Sequence, residues 1–257
     1  MLGITDKQPD KRRRILNAPP SPPREIVLIP GFMCDASLWQ AILPALETHG
    51  KLHLVDLNQG SSIEAMAEYL LPNLPARCTL IGFSLGGYVA QRIARLVPQR
   101  IDNLVLLNTS ARASTAEEIA RNRQQIKLCE AFPFKGQTKA AFQRALHPER
   151  KDKPDLLAHL QAMSLALGKQ VFMRQLSIIR ADGHADLAHI SCPSLVVASR
   201  NDQMRSLQEA ENLVAGLPRG RLSIIENCGH MSPLEQPLAL LDLLTQYLAE
   251  SEKNLPS

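Results

Sequence analysis

One segment of the chain has residue types and spacing that point directly to covalent chemistry. It is a serine between two glycines, Gly82-Phe83-Ser84-Leu85-Gly86. The apolar pair Leu80-Ile81 leads into it, and a helix-competent run, Tyr88-Val89-Ala90-Gln91-Arg92-Ile93-Ala94, leads out. A serine on a strand-to-helix turn is held in a strained backbone state with its hydroxyl presented to the site. Gly82 and Gly86 let neighbouring chain pack against the turn. The first N–H groups of the helix behind the serine face developing negative charge. The segment therefore proposes a nucleophile and part of its electrostatic support.

A serine hydroxyl needs a base, and the base needs an orienting acid. In an alternating sheet-and-helix chain, site residues collect beyond the carboxyl ends of the strands. Asp202 follows the apolar run Leu195–Ala198 in Ser199-Arg200-Asn201-Asp202, and His230 follows Leu222–Ile225 in Glu226-Asn227-Cys228-Gly229-His230. The other histidines fit worse. His49 and His53 precede the serine, His147, His159 and His184 fall in a helical stretch, and His189 precedes a strand. The rival acids are Asp102, Asp182, Asp186 and Glu226. Asp102 precedes its strand and so should lie at the wrong end of the sheet, and Asp182 and Asp186 could line the site or cap helices. An acyl-transfer oxyanion needs two preorganised N–H donors. Leu85 supplies one. The loop Pro30-Gly31-Phe32-Met33 supplies the other, with Phe32 the first choice and Met33 the second.

The elements that must hold these residues are readable in outline. Short apolar strands are expected at Glu25–Ile29, Lys51–Val55, Cys78–Ile81, Leu104–Leu107, Ser194–Ala198 and Arg221–Ile225. Helices are expected at Ser37–Leu46, Ile63–Leu71 (capped by Ser62), after Ser84, at Ser206–Ala215 and at Pro237–Glu250. Alternation of this kind implies a mostly parallel sheet covered on both faces. Residues 112–186 break the rhythm, with helical patterns at Ala116–Ala131, Thr138–Leu146, Asp155–Leu167 and Gln170–Arg180 and no convincing strand. They are expected to form a cap over the strand ends, between core segments 24–111 and 187–257.

Composition narrows the class. The chain has 257 residues, 45% hydrophobic and 21% charged, with a formal net charge of +4, which suits one α/β domain. Part of the basic excess is the single run Lys11-Arg12-Arg13-Arg14, with no aromatic-basic interleaving, so no nucleic-acid partner is expected. Residues 1–23 end in Asn17-Ala18-Pro19-Pro20-Ser21-Pro22-Pro23, which is no signal-peptide core, and are expected to be a disordered leader. No apolar run reaches the length of a membrane span, so no membrane partner and a cytoplasmic location are expected. The five cysteines, Cys34, Cys78, Cys129, Cys192 and Cys228, form no C-x-x-C pair and read as reduced buried thiols. No metal cluster or nucleotide loop is visible, so no cofactor and no metal are expected.

Together these residues resemble the α/β-hydrolase superfamily, in particular its small bacterial carboxylesterase-like members with a helical cap. The resemblance rests on Ile29-Pro30-Gly31-Phe32-Met33-Cys34-Asp35-Ala36-Ser37-Leu38-Trp39, on Ile81–Gly87, on Cys192–Val197 with Asp202, and on Cys228-Gly229-His230-Met231-Ser232-Pro233-Leu234-Glu235. It covers about residues 24–250. It implies the α/β-hydrolase fold with Ser84 as nucleophile, His230 as base and Asp202 as its partner. Two departures stand out. Pro30-Gly31 replaces the His-Gly common among such proteins, and residues 1–23 are not expected to supply the two further strands that many of them have first. Six parallel strands are therefore expected, with an edge that the tail or a partner chain would cover, a homodimer being one such arrangement.

The activity expected is hydrolysis of a small-molecule carboxylic ester or related acyl substrate through an acyl-enzyme. Two alternatives stand beside it. The same triad can cleave carbon–carbon bonds or eliminate a leaving group, which basic residues in the cap (Arg121, Arg123, Arg144, Arg174, Arg180) would favour. The fold can also serve as a ligand receptor. Dehalogenase and epoxide hydrolase chemistry is disfavoured, because those relatives carry aspartate where this chain has Ser84. The cap apolar residues Met163, Leu165, Leu167, Phe172 and Met173 are read as cap core or pocket wall. A narrow apolar cavity above Ser84 would point to short acyl esters and a basic one to anionic substrates.

Overall fold

The computed structural model describes residues 24–253, so the expectation for residues 1–23 lies outside the described residues. Six strands, β1 (Glu25–Ile29), β2 (Lys51–Leu54), β3 (Cys78–Phe83), β4 (Ile101–Leu107), β5 (Ser194–Ser199) and β6 (Gly220–Ile225), form one sheet in the order β2-β1-β3-β4-β5-β6. Every neighbouring pair is parallel. The central strands β3 and β5 are buried along their whole length, as parallel strands covered on both faces must be. At the outer edge β2 leaves Leu54 44% exposed.

Side chains alternate between two apolar layers. On one face Val27, Ile29, Leu80, Leu104 and Val196 meet α2 (Ile63–Leu70), α3 (Leu85–Leu96) and α8 (Leu207–Gly216). On the other, Ile26, Leu28, Ile81, Val105 and Val197 meet Trp39, Ile42, Leu46 and α10 (Pro237–Lys253). Ser62 and Ser206 cap α2 and α8, their side chains accepting the N–H of Ala65 and Glu209. No helix among the described residues is long and apolar enough to cross a membrane.

Between β4 and β5 lie α4 (Ala116–Ala131), α5 (Lys139–Ala145), α6 (Pro154–Leu176) and the short α7 (His184–Leu187), with no strand. The two helices expected at Asp155–Leu167 and Gln170–Arg180 are both present within this run, which non-helical backbone at Gly168 divides, and the φ of 77° there suits a residue without a side chain. That run stops at Leu176, four residues before the expected end.

The single helix expected over Ser37–Leu46 is corrected. The chain forms a 3-10 turn, Ala36–Trp39, then α1 (Leu43–Leu46), then another 3-10 turn, Glu47–His49. Pro44 has no N–H to give Gln40, and its ring crowds that carbonyl, so the helix restarts with proline in its first turn. The apolar periodicity still marks the correct face, because Leu38, Trp39, Ile42 and Leu46 are all buried.

Candidate active site

Ser84 sits between β3 and α3 with φ 49° and ψ −111°, a backbone state that costs energy for any residue with a side chain. Its surroundings impose that state. Ser84 N–H donates to Leu107 O at 2.9 Å, and Ser84 O accepts from Thr109 Oγ1 at 2.7 Å and from Gly87 N at 3.0 Å. The flanking glycines are required by contact. A Cβ on Gly82 would lie 2.5 Å from Gly86 O, and one on Gly86 would lie 2.4 Å from both Ile29 O and Pro30 O.

The structure brings the three residues predicted from sequence together. His230 Nε2 is 2.9 Å from Ser84 Oγ, and His230 Nδ1 is 2.7 Å from Asp202 Oδ2. His230 is buried, its ring tilted against Phe83 with centroids 5.2 Å apart, and its N–H donates to Ala145 O at 2.7 Å. Asp202 Oδ1 accepts the N–H groups of Met204 and Arg205 at 2.7 and 3.0 Å. Burial pushes the Asp202 carboxyl up, but the charge and hydrogen bond of His230, the Met204 N–H and the Asn108 amide outweigh it and hold it below the ordinary carboxylate range. With Asp202 ionised, this geometry suits a proton on the imidazole Nδ1 and an Nε2 able to accept one from a serine hydroxyl.

The rival residues are engaged elsewhere. Asp102 pairs with Arg77, Asp182 with His184, Asp186 with Arg95 and Glu226 with Arg200. His53 meets Glu25, and His159 Nε2 lies 3.0 Å from Ser37 Oγ. The two candidate N–H groups of the Pro30–Met33 loop differ in their partners. Met33 N–H donates to Gln175 Oε1 at 2.8 Å, while Phe32 N–H has no acceptor among the described residues. Leu85 N–H, at the first position of α3, has no intrahelical acceptor. Cys34 and Cys228, near these loops, are buried thiols. Burial is the largest cause that pushes each up to about 12.

Sequence reasoning missed several residues that hold this arrangement. Asn108, at the end of β4 with φ 47°, donates to Asp202 Oδ2 at 3.0 Å and to Ser199 Oγ at 2.9 Å, and accepts from Ser232 Oγ at 2.6 Å. An asparagine directly after a strand that ends beside Ser84 was the available signal, because asparagine tolerates positive φ. Gln175 Nε2 donates to Leu57 O at 3.0 Å, so this amide straps the Phe32-Met33 loop to the chain after β2. Its sequence mark is a polar residue beside Val171, Phe172 and Leu176 on an otherwise apolar helix face. Glu235, in the short α9 (Ser232–Glu235), accepts the N–H of His147 at 2.7 Å and of Met231 at 3.2 Å and pairs with Arg150 at 3.2 Å.

A cavity of about 370 Å³ opens above Ser84 and His230. Its apolar wall includes Phe32, Phe142, Leu160, Ile178 and Met204. None of the apolar cap residues singled out from sequence lines it. Met163 and Phe172 are buried in the cap's packing, Leu167 and Met173 pack beside Phe172, and Leu165 is exposed. Of the cap arginines considered, Arg121, Arg144 and Arg180 line the cavity, joined by Arg112 and Arg205, which sequence reasoning did not single out. Arg174 turns away and donates to Asn58 O.

Comparison with known proteins agrees with this geometry. The chain is 27% identical over 230 residues to a pimeloyl-acyl-carrier-protein methyl ester esterase of Nitrosomonas europaea, spanning 83% of this chain and 91% of the relative. It is 28% identical over 246 residues to the protein of the same name from Serratia marcescens, spanning 88% and 94%. The solved structure of a thermophilic esterase from Thermogutta terrifontis superimposes with a TM-score of 0.81 at 24% identity, covering 90% of this chain and 91% of that one, and shares its fold. The model of the alpha/beta hydrolase family matches residues 26–243. With a six-stranded parallel sheet, a serine on the strained turn after β3, and that match across most of its length, the chain belongs to the alpha/beta hydrolase family.

Proposed function

We propose that this protein is a serine hydrolase that cleaves a small carboxylic ester through Ser84, His230 and Asp202. The observation that carries the reading is the unbroken hydrogen-bond chain, 2.9 Å from Ser84 Oγ to His230 Nε2 and 2.7 Å from His230 Nδ1 to Asp202 Oδ2, at the floor of a cavity. Relatives named as methyl ester esterases support an ester as the bond broken.

Ser84 Oγ bonds to the ester carbonyl carbon while its proton passes to His230 Nε2. The carbonyl oxygen becomes an oxyanion held by the N–H groups of Phe32 and Leu85. The bond to the alkoxy oxygen then breaks, and His230 returns the proton to the departing alcohol. Water, deprotonated by His230, attacks the acyl carbon, and the acid leaves as Ser84 regains its proton. Met33 and Gln175 brace the loop that aims the Phe32 N–H.

The arginines that line the cavity favour a second reading, cleavage of a carbon–carbon bond in a carboxylate-bearing substrate by the same residues. The two readings part at the covalent intermediate. An acyl group trapped on Ser84 from an ester substrate supports ester hydrolysis. The direct experiment is Ser84→Ala: turnover of short p-nitrophenyl esters disappears, and retained turnover sinks the assignment.

A further inference from the structure

The cavity above Ser84 carries more positive charge than its carboxylates neutralise. Five arginines line it, Arg112, Arg121, Arg144, Arg180 and Arg205, against two glutamates, Glu117 and Glu118. At its inner end Arg112 grips Glu118 through two bonds of 2.7 and 3.0 Å and also pairs with Glu209 on α8. Arg180 Nη2 donates to the same Glu118 at 2.8 Å, and Arg205 comes within 3.9 Å of it. Three guanidinium groups thus share two carboxylates, and one positive charge is left over.

That charge is poorly accommodated by the protein alone. The side chains of Arg180 and Arg205 are 13% and 12% exposed, and the buried Nε of each has no hydrogen-bond partner. Largely buried cations without full compensation are costly. Burial, with Arg205 adding to it, holds the Arg180 guanidinium below its ordinary value. Glu118 does not relieve the imbalance by taking a proton. Burial raises its carboxyl, but Arg112, the Thr115 N–H and Arg180 outweigh that and bring it to about 2. Arg112 has a structural use, joining the start of α4 to α8, whereas the pair Arg180 and Arg205 exceeds what that joint requires.

The pair lines the same cavity as Ser84. Both guanidinium groups lie over the Tyr88 ring, 5.2 and 5.9 Å from its centroid. Tyr88 stands one helical turn beyond Ser84, a rise of about 6 Å. Guanidinium forks match the flat geometry of a carboxylate. The one charge left over among Arg112, Arg180 and Arg205 matches a single carboxylate group at this point better than the doubly charged head of a phosphate monoester.

We propose that Arg180 and Arg205, stacked on Tyr88, form a carboxylate-binding subsite, and that the preferred substrate is a half-ester of a short dicarboxylic acid. Its free carboxylate sits at the arginine pair and its ester carbonyl at Ser84. This rests on the ester-hydrolase reading of Ser84, His230 and Asp202.

The test compares monomethyl glutarate with dimethyl glutarate on the full-length protein. The expected result is a preference of about tenfold or more in kcat/KM for the monoanion, carried mainly by KM. In Arg180→Gln and Arg205→Gln the ratio of the two rates falls toward one, with Arg180→Lys between them and the wild type. Glutarate inhibits dimethyl glutarate hydrolysis competitively, and inorganic phosphate at the same concentration does not. Equal wild-type rates on the two esters, or phosphate inhibiting as well as glutarate, overturns the subsite. Calorimetric titration of Ser84→Ala protein with glutarate reads the subsite apart from turnover. No binding there overturns the subsite, whereas binding with no turnover of any ester by the wild type supports the subsite and overturns the ester-hydrolase reading alone.

Discussion

Glu235→Gln tests how the His230 loop is held. The Glu235 side chain is 0% exposed, and its two oxygens take three donors: His147 N–H at 2.7 Å, Met231 N–H at 3.2 Å and Arg150 Nε at 3.2 Å. Glutamine has the same shape, but one oxygen becomes an NH₂ group facing a backbone N–H. A buried donor left without an acceptor costs about 1–3 kcal/mol. Removing one partner of a buried ion pair costs about 3–5 kcal/mol. Arg150 is 15% exposed and also donates to Asn227 O, so it keeps an acceptor when Glu235 is neutral. The lower end applies, giving about 3 kcal/mol by the same ranges. For a chain of this length that is a fall of roughly 6–12 °C in melting temperature. Urea unfolding followed by circular dichroism measures it. Because Met231 adjoins His230, kcat on a short p-nitrophenyl ester should also fall about tenfold, equivalent to about 1.4 kcal/mol, with KM little changed. A variant within about 0.5 kcal/mol of wild type, with kcat intact, would refute the claim that this carboxylate anchors the loop.

Other substitutions probe the remaining supports. Asp202→Asn should lower kcat by about 10³–10⁴-fold while the fold persists, because the neutral amide no longer favours the required imidazole tautomer; steady-state kinetics and circular dichroism check both halves. Gly86→Ala should destabilise by about 1–3 kcal/mol or more in urea unfolding, since its Cβ would meet backbone oxygens at 2.4 Å that cannot swing aside. Glu118 has a folded-state value of about 2, set by burial raising it and by Arg112, the Thr115 N–H and Arg180 lowering it further. Its unfolded value is about 4.3, so its contribution is complete above that pH and is lost as pH falls toward the folded value. Glu118→Gln should therefore flatten the stability profile across that acid window, read from urea midpoints, and an unchanged slope would count against the arginine–glutamate cluster.

The parts of the site nearest the backbone pattern were the most legible. Ser84, Asp202 and His230 each follow an apolar strand, and parallel strands deliver such residues to one crevice whatever the loops do. The engagement of the Met33 N–H was not legible, because its acceptor, Gln175, lies more than a hundred residues away. The charge of the cavity was only half legible. Arg121, Arg144 and Arg180 lie in the cap segment, but Arg112 comes from its first loop and Arg205 from the core segment beside Asp202. Periodicity found the buried face of Leu38, Trp39, Ile42 and Leu46 and missed the break at Pro44, a local constraint that an apolar stripe does not record.

The central claim is that Ser84 forms a covalent bond to the substrate carbon. Reaction with a fluorophosphonate, which serine nucleophiles of this kind displace, followed by peptide mass mapping, tests it most directly. The account predicts one phosphonyl group per chain, carried on the peptide that contains Ser84, with no label in Ser84→Ala and slower labelling in Asp202→Asn. Label on a different residue, or equal labelling of the Ser84→Ala protein, would contradict it.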